Sequence, residues 1–304
     1  MSNLLNGMDG HCLAEEGACS AIELVLQPRT ADLGGFSVRR LLPTAKKKMV
    51  GPWIFFDEMG PARFPAGQGV NVRPHPHIGL ATVTYLFAGE MLHRDSLGTQ
   101  QAIRPGDINL MVAGRGIVHS ERETDAVRNR EHDQHGLQLW LALPAEQETI
   151  EPTFHHVGAE SIPTLEINGV TVRVLMGSAY GVSSPVPVFS PTLYLEASLQ
   201  TGQRLELPDA DERGLYVVKG AVKLAGSVLE QGSMAILSNM QQLEIQANEN
   251  TQIALIGGQP LGKRFIEWNF VASRKELIEQ AKADWQSGRF AKVPADEDEY
   301  IAYP

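Results

Sequence analysis

Residues 69–89 read Gly69-Val70-Asn71-Val72-Arg73-Pro74-His75-Pro76-His77-Ile78-Gly79-Leu80-Ala81-Thr82-Val83-Thr84-Tyr85-Leu86-Phe87-Ala88-Gly89. Two features of this stretch decide how the chain is read. The run 81–87 is β-branched and aromatic and stops at a glycine, which is strand character. Ahead of it stands the pair His75-Pro76-His77. On an extended strand, residues i and i+2 point to the same face, so both imidazoles can face one interior point. The spacing recurs at His119-Ser120-Glu121, with one carboxylate. Two such strands facing each other across a barrel supply three nitrogens and one oxygen, a donor set that suits a first-row transition metal. Four protein ligands leave two positions open at an octahedral ion, and a structural zinc site leaves none. An isolated H-x-H on a strand is often only a packed pair. The second pair, also preceded by a glycine-rich turn, is what argues for one metal in the N-terminal half.

Working outward, the runs 36–42, 53–56, 108–112 and 137–143 are apolar, β-rich and bounded by turn residues such as Pro105-Gly106-Asp107 and Pro144. Short strands at this spacing predict a sandwich or barrel. Residues 152–190 are rich in Pro, Gly and Ser and read as a connector. Strand-like runs resume at 193–199, 214–218, 221–224, 234–237, 243–246 and 252–256, separated by glycines, and predict a second barrel. The organisation expected is a lead-in over 1–30, a metal-binding barrel over 31–150, a connector over 151–190, and a second barrel over 191–304. The last of these carries a short C-terminal helix and an acidic tail. Ser273 and Glu276 have capping-box spacing. Leu277, Ala281 and Trp285 form an apolar stripe, and Gly288 ends the helix. The tail Asp296-Glu297-Asp298-Glu299 reads as a solvated terminus docked with the helix against the barrels.

The 304 residues carry 43% apolar and 20% charged side chains, an ordinary globular balance with enough chain for a sizeable core. The net charge of −10 argues against direct binding to nucleic acid or an anionic membrane. The one compact basic run, Lys46-Lys47-Lys48, reads as a solvated strand end. Cys12 and Cys19 are too few for a disulfide scaffold. No signal peptide is read at the start, and no apolar run approaches the roughly 18 residues of a membrane span. A soluble, cytoplasmic protein with reduced thiols is expected. All nine histidines lie at or before His156, so an imidazole site belongs to the N-terminal half. His93, beside Arg94 and Asp95, reads as a surface-loop residue. His132 and His135 have a spacing that suits a helix and not a strand, and are assigned packing or solvated roles. His155-His156 reads as surface.

The spacing Gly69, His75, His77 and Gly89 resembles the first cupin motif, although Ala81 and Thr82 stand where that motif places a glutamate. A longer resemblance is to the pirin family, whose members are bicupins. It is carried by Phe56-Asp57-Glu58-Met59-Gly60-Pro61, Arg73-Pro74-His75-Pro76-His77 and Thr82-Val83-Thr84-Tyr85-Leu86. It continues in Gly89-Glu90-Met91-Leu92-His93-Arg94-Asp95-Ser96-Leu97-Gly98, Arg104-Pro105-Gly106-Asp107, Ala113-Gly114-Arg115-Gly116-Ile117-Val118-His119-Ser120-Glu121 and His135-Gly136-Leu137-Gln138-Leu139-Trp140. The resemblance implies an all-β fold of two cupin-type barrels. It also implies a mononuclear iron, as Fe(II), held by His75, His77, His119 and Glu121, although this donor set also accepts nickel, manganese, copper or zinc. Two functions follow from the resemblance. One is a dioxygenase that opens a flavonol of the quercetin type, with Glu121 taking the substrate proton. The other is a metal-dependent, redox-sensing co-regulator that binds a protein partner. The sequence departs from many pirins at Ile78, Leu80 and Ala81, where an arginine, an aromatic and an acid are usual. The sequence leaves open which way Ile78 and Leu80 point; turned toward the ligands they would shape a water-poor pocket.

Overall fold

The computed structural model describes residues 21–32 and 36–304. Cys12 and Cys19 lie outside the described residues. Two large antiparallel sheets of seven strands each dominate the structure, and each is partnered by a four-stranded sheet. The first large sheet runs in the order Thr153–Val157, Ile108–Val112, Leu80–Ala88, His132–Ala142, Trp53–Phe64, Ser37–Leu42 and Arg29–Asp32. Its partner contains Val72–His77, Ile117–Arg122, Met91–Asp95 and Gln100–Ile103. The second large sheet is centred on Glu212–Lys219, Thr251–Gly258 and Thr192–Leu199. This is the all-β, two-barrel architecture that the alternating patterns predicted.

Period-two alternation explains why the strands at the centre read as unbroken apolar runs. In Leu80–Ala88, Ala81, Val83 and Tyr85 face the second barrel, while Leu80 and Leu86 face the interior of the first. In Thr251–Gly258, Ala254 and Ile256 join the same shared core, whereas Ile253 and Leu255 fill the second barrel. The two large sheets thus pack face to face, and each central strand is buried on both sides. Trp53 sits in this seam with no exposed surface, and its indole N–H donates to the carbonyls of Leu193 at 3.2 Å and Gly257 at 3.1 Å.

Several local readings change. Ile22–Leu26, assigned to the lead-in, pairs with Met234–Leu237 at the edge of the second large sheet. Residues 151–190 are not a bare connector. Thr153–Val157 extends the first sheet, and the hairpin Thr164–Ile167 with Val170–Met176 extends the second. These strands are short and lie between turn-rich segments, so the turn signals outweighed them. Lys47 is not a free solvated cation, since its ammonium lies 2.9 Å from Glu212 of the second barrel.

The C-terminal helix spans Lys275–Gln286, and Gly288 follows it at φ +68. The expected cap does not form. Ser273 donates its hydroxyl and its backbone N–H to the buried carboxylate of Glu148, both at 2.7 Å, and the helix begins one residue after Arg274 without a side-chain cap. Ile278 and Ala281 are buried against Ile78 and Phe270, with Leu277 and Trp285 packed beside them. The helix therefore covers the outer side of the first barrel near the histidine pair.

Replacing Trp53 by Phe keeps the ring in the seam but leaves two buried carbonyls without their donor. We expect a loss of about 1–3 kcal/mol in urea-induced unfolding. An unfolding midpoint equal to that of the native chain would show that this hydrogen bond does not help hold the barrels together.

Candidate metal centre

Val72–His77 and Ile117–Arg122 are antiparallel neighbours, with His119 opposite His75 and Ile117 opposite His77. Directly opposed residues share a face of the sheet, as do residues i and i+2. His75, His77 and His119 therefore turn to the barrel interior together. Just beyond His77, Gly79 takes a left-handed φ of +67, and a Cβ there would come within 2.0 Å of the Val271 carbonyl oxygen. This glycine lets the chain turn sharply from the small sheet into the large one while packed against the C-terminal segment.

The three rings are mutually close, with centroids 4.4, 4.9 and 5.0 Å apart. One ligand nitrogen from each lies within 4.8 Å of the others, and all three residues are buried. Backbone carbonyls set two of the tautomers. His75 Nδ1–H donates to Arg73 O at 2.9 Å, and His77 Nδ1–H donates to Asn269 O at 3.1 Å. Both rings are left with an Nε2 lone pair, which is how proteins orient metal-ligating imidazoles. Both nitrogens of His119 are buried without a hydrogen-bond partner. Buried polar atoms are nearly always paired. An unpaired imidazole beside two rings with free lone pairs fits a cation, so the donor set suits a metal ion.

Electrostatics agree. Burial draws the His75 imidazole down to about 4. Burial, then the neighbouring imidazoles, holds His77 and His119 well below the usual range. The rings are thus neutral at physiological pH, the form that binds metal. Glu121 lies outside the 4.8 Å set but lines the same cavity. Burial alone raises its carboxyl to about 7. A nearby cation would favour its ionised form.

The cavity holds about 560 Å³, within the usual range for small-molecule sites. Phe55 and Trp140 stack on one wall, with centroids 4.0 Å apart, and Trp140 meets His77 edge-on at 5.0 Å. Arg40 lies 4.4 Å over Phe55 and is held by a two-pronged hydrogen bond to Asp57 at 2.8 and 2.7 Å. Trp268, Asn269 and Ile301 complete the lining from the far end of the chain. The three converging histidines come from the N-terminal half, but the cavity is not built there alone. Ile78 and Leu80 do not line it. Ile78 turns outward to Phe270 and the helix, and Leu80 packs inside the barrel. Ala81 faces the seam, so an acid there would point into the interbarrel core and not toward the histidines.

The sequence reading missed His93. It is not in a surface loop but on the strand Met91–Asp95, buried, with its ring 5.4 Å from His119 and stacked on Phe154 at 4.5 Å. Its Nε2–H donates to Asp95 at 2.9 Å. The signal was present, since His93-Arg94-Asp95 repeats the i, i+2 pattern of the ligand pairs. His132 and His135 play packing roles as expected, bonded to Glu123 and Glu58 at 2.9 and 2.8 Å.

Two barrels of cupin type, with three buried imidazoles converging in the first, define a bicupin whose first barrel carries a metal donor set. The family model for pirin matches residues 35–141, and that for the pirin C-terminal cupin domain matches 194–291. A pirin-like protein of Caulobacter vibrioides is 45% identical over 93% of this chain and 99% of its own length. Human pirin is 32% identical over 90% of this chain and 94% of its own. A crystal structure of a quercetin 2,3-dioxygenase from Acinetobacter baumannii superposes with a TM-score of 0.86 at 35% identity, covering 92% of this chain and 94% of that one. The chain belongs to the pirin family. Among the described residues, no helix is long and apolar enough to cross a membrane.

Elemental analysis of the purified protein is expected to give one metal per chain. His119→Ala removes the ring that has no other partner and should fall well below that stoichiometry while keeping its fold by circular dichroism. A folded His119→Ala variant with full metal content would place the ion elsewhere.

Proposed function

We propose that this protein is a mononuclear iron dioxygenase that opens a flavonol, with Fe(II) held by His75, His77, His119 and Glu121. The observation that carries the reading is the convergence of three neutral imidazoles on a cavity walled by Phe55, Trp140 and Trp268. Its likeness to a quercetin 2,3-dioxygenase of known structure supports the same chemistry. When bound, the iron supplies a Lewis acid that favours a deprotonated hydroxyl and the redox centre that dioxygen chemistry requires.

The chain's own residues do the rest. The stacked Phe55–Trp140 wall offers a flat apolar surface to a planar aromatic substrate, and the edge of Trp140 against His77 fixes where that surface lies relative to the ligands. Arg40, immobilised by Asp57, and the side chain of Gln138, whose carbonyl accepts from Thr84 at 2.9 Å, are polar groups set in this lining. They orient the hydroxyl-bearing edge of the substrate. Glu121 takes the proton of the flavonol 3-hydroxyl onto a carboxylate oxygen. Its burial beside the triad keeps bulk water from competing for that proton. Iron-loaded protein with no oxygen uptake and no flavonol consumption would overturn the dioxygenase reading.

Glu121→Gln separates ligation from proton transfer. The amide can still present a carbonyl oxygen to a metal but cannot act as a base. We expect the variant to retain much of its iron while flavonol turnover falls by roughly 10²–10⁴-fold, the usual contribution of a positioned base. Iron content and oxygen uptake are measured on the same preparation. A variant that is iron-loaded and fully active would exclude Glu121 from the proton transfer.

A further inference from the structure

We infer that the C-terminal segment 296–303 is a strap that forms one wall of the metal cavity, and that Ile301 limits the size of what reaches the three histidines. The segment has no regular secondary structure. It folds back across the outer face of the histidine-bearing sheet and is anchored beside the ligands on both strands. Arg122, the residue after Glu121, makes a two-pronged bond to Asp296 at 2.7 and 2.7 Å and bonds Glu299 at 2.9 Å. Ile301 N–H donates to the carbonyl of Pro74, the residue before His75, at 2.8 Å. From the other side, the indole N–H of Trp285 donates to Ile301 O at 3.1 Å. Tyr303 packs edge-on against the cavity residue Trp268 at 5.5 Å and donates its hydroxyl to Glu267.

Ile301 is thus pinned at both its N–H and its carbonyl, and it is among the residues that line the metal cavity. The acidic run that the sequence presents as a solvated terminus is the latch of this wall. The Asp296 side chain is only 9% exposed, and that of its partner Arg122 is 20% exposed. A latch made of ion pairs, without strand pairing, can open without unfolding a sheet, and its more exposed arm, Arg122 to Glu299, weakens as salt screens its charges.

The inference rests on the metal half of the proposed function and not on turnover, so its test reads metal access directly. Full-length protein is loaded with zinc(II), a redox-inert probe. Extraction rates are then measured with a small bidentate chelator and with a bulky aminopolycarboxylate. For the native chain we expect the bulky chelator to be strongly disfavoured, and the disadvantage to shrink at about 1 M salt, where the screening length is about 3 Å. The double substitution D296N/E299Q should speed bulky extraction about tenfold at low salt and remove most of the salt effect. Ile301→Ala leaves the latch in place and widens the wall. It should raise the bulky-to-small rate ratio with equal zinc content, which keeps the test decisive if the double variant folds poorly. Ratios within twofold of the native chain in folded, zinc-loaded Ile301→Ala would overturn the strap. A native chain that takes up no zinc or other divalent metal would overturn the metal reading itself, and the strap with it.

Discussion

The structure's chemistry depends on one register, the antiparallel pairing that sets His119 opposite His75. Side chains alternate along a strand, so a slip of one residue would carry the histidine pair to the opposite face. On that face Pro74, Val118 and Arg122 meet the C-terminal helix and tail. The register is held from several directions. Gly79 N–H bonds Gly114 O at 2.8 Å beyond one end of the pairing, and the strand Met91–Asp95 pairs along the other side of Ile117–Arg122. A shift between His119 and Glu121 adds an extra residue on the histidine-pair strand, so the carboxylate is opposed by Val72 and not by Arg73. That irregularity fits the position of Glu121, which lines the cavity without joining the tight histidine cluster.

Among the described residues, no group of candidate metal ligands lies in the second barrel. Its interior is filled by Val172, Leu195, Leu215, Val217, Ile253, Leu255 and similar residues, and no histidine lies in it. It buries one face of the first barrel's large sheet, which fixes the strands that present Phe55 and Trp140 to the cavity. The chain after it adds the parts the first barrel lacks, namely the Asn269 carbonyl that orients His77, and the Trp268 and Ile301 walls. The three converging histidines therefore lie within 45 residues of one another in sequence, whereas the hydrogen bond that orients His77 joins residues nearly two hundred positions apart.

That division explains what could be read in advance. The two barrels, the C-terminal helix and the histidine triad were legible because each is written as a local period, two for the strands and near four for the helix. The His93–Asp95 pair carried the same period but sat among polar neighbours that resembled a loop. The Ser273 cap failed for a different reason. Its hydroxyl had a competing acceptor, Glu148, 125 residues away, and no local rule reports such a competitor. Ile22–Leu26 was hidden for the same reason, since its strand character depends on Met234–Leu237. The acidic tail looked like a solvated end because Arg122, its partner, lies 174 positions from Asp296.

The same long-range assembly makes the donor cluster costly to the fold when it has only its own side chains for company. His119 has two buried nitrogens without partners, and each such group opposes folding by about 1–3 kcal/mol. Protonation offers no relief, because burial makes the imidazolium form unfavourable at all three rings. A divalent cation at the three rings would satisfy one of the two orphaned His119 nitrogens. It would accept the free lone pairs, leave the Nδ1 hydrogen bonds of His75 and His77 intact, and favour the ionised form of the Glu121 carboxyl. Binding of such an ion to the folded chain adds its free energy to stability. A metal held by this cluster would therefore stabilise the fold as well as supply the chemistry.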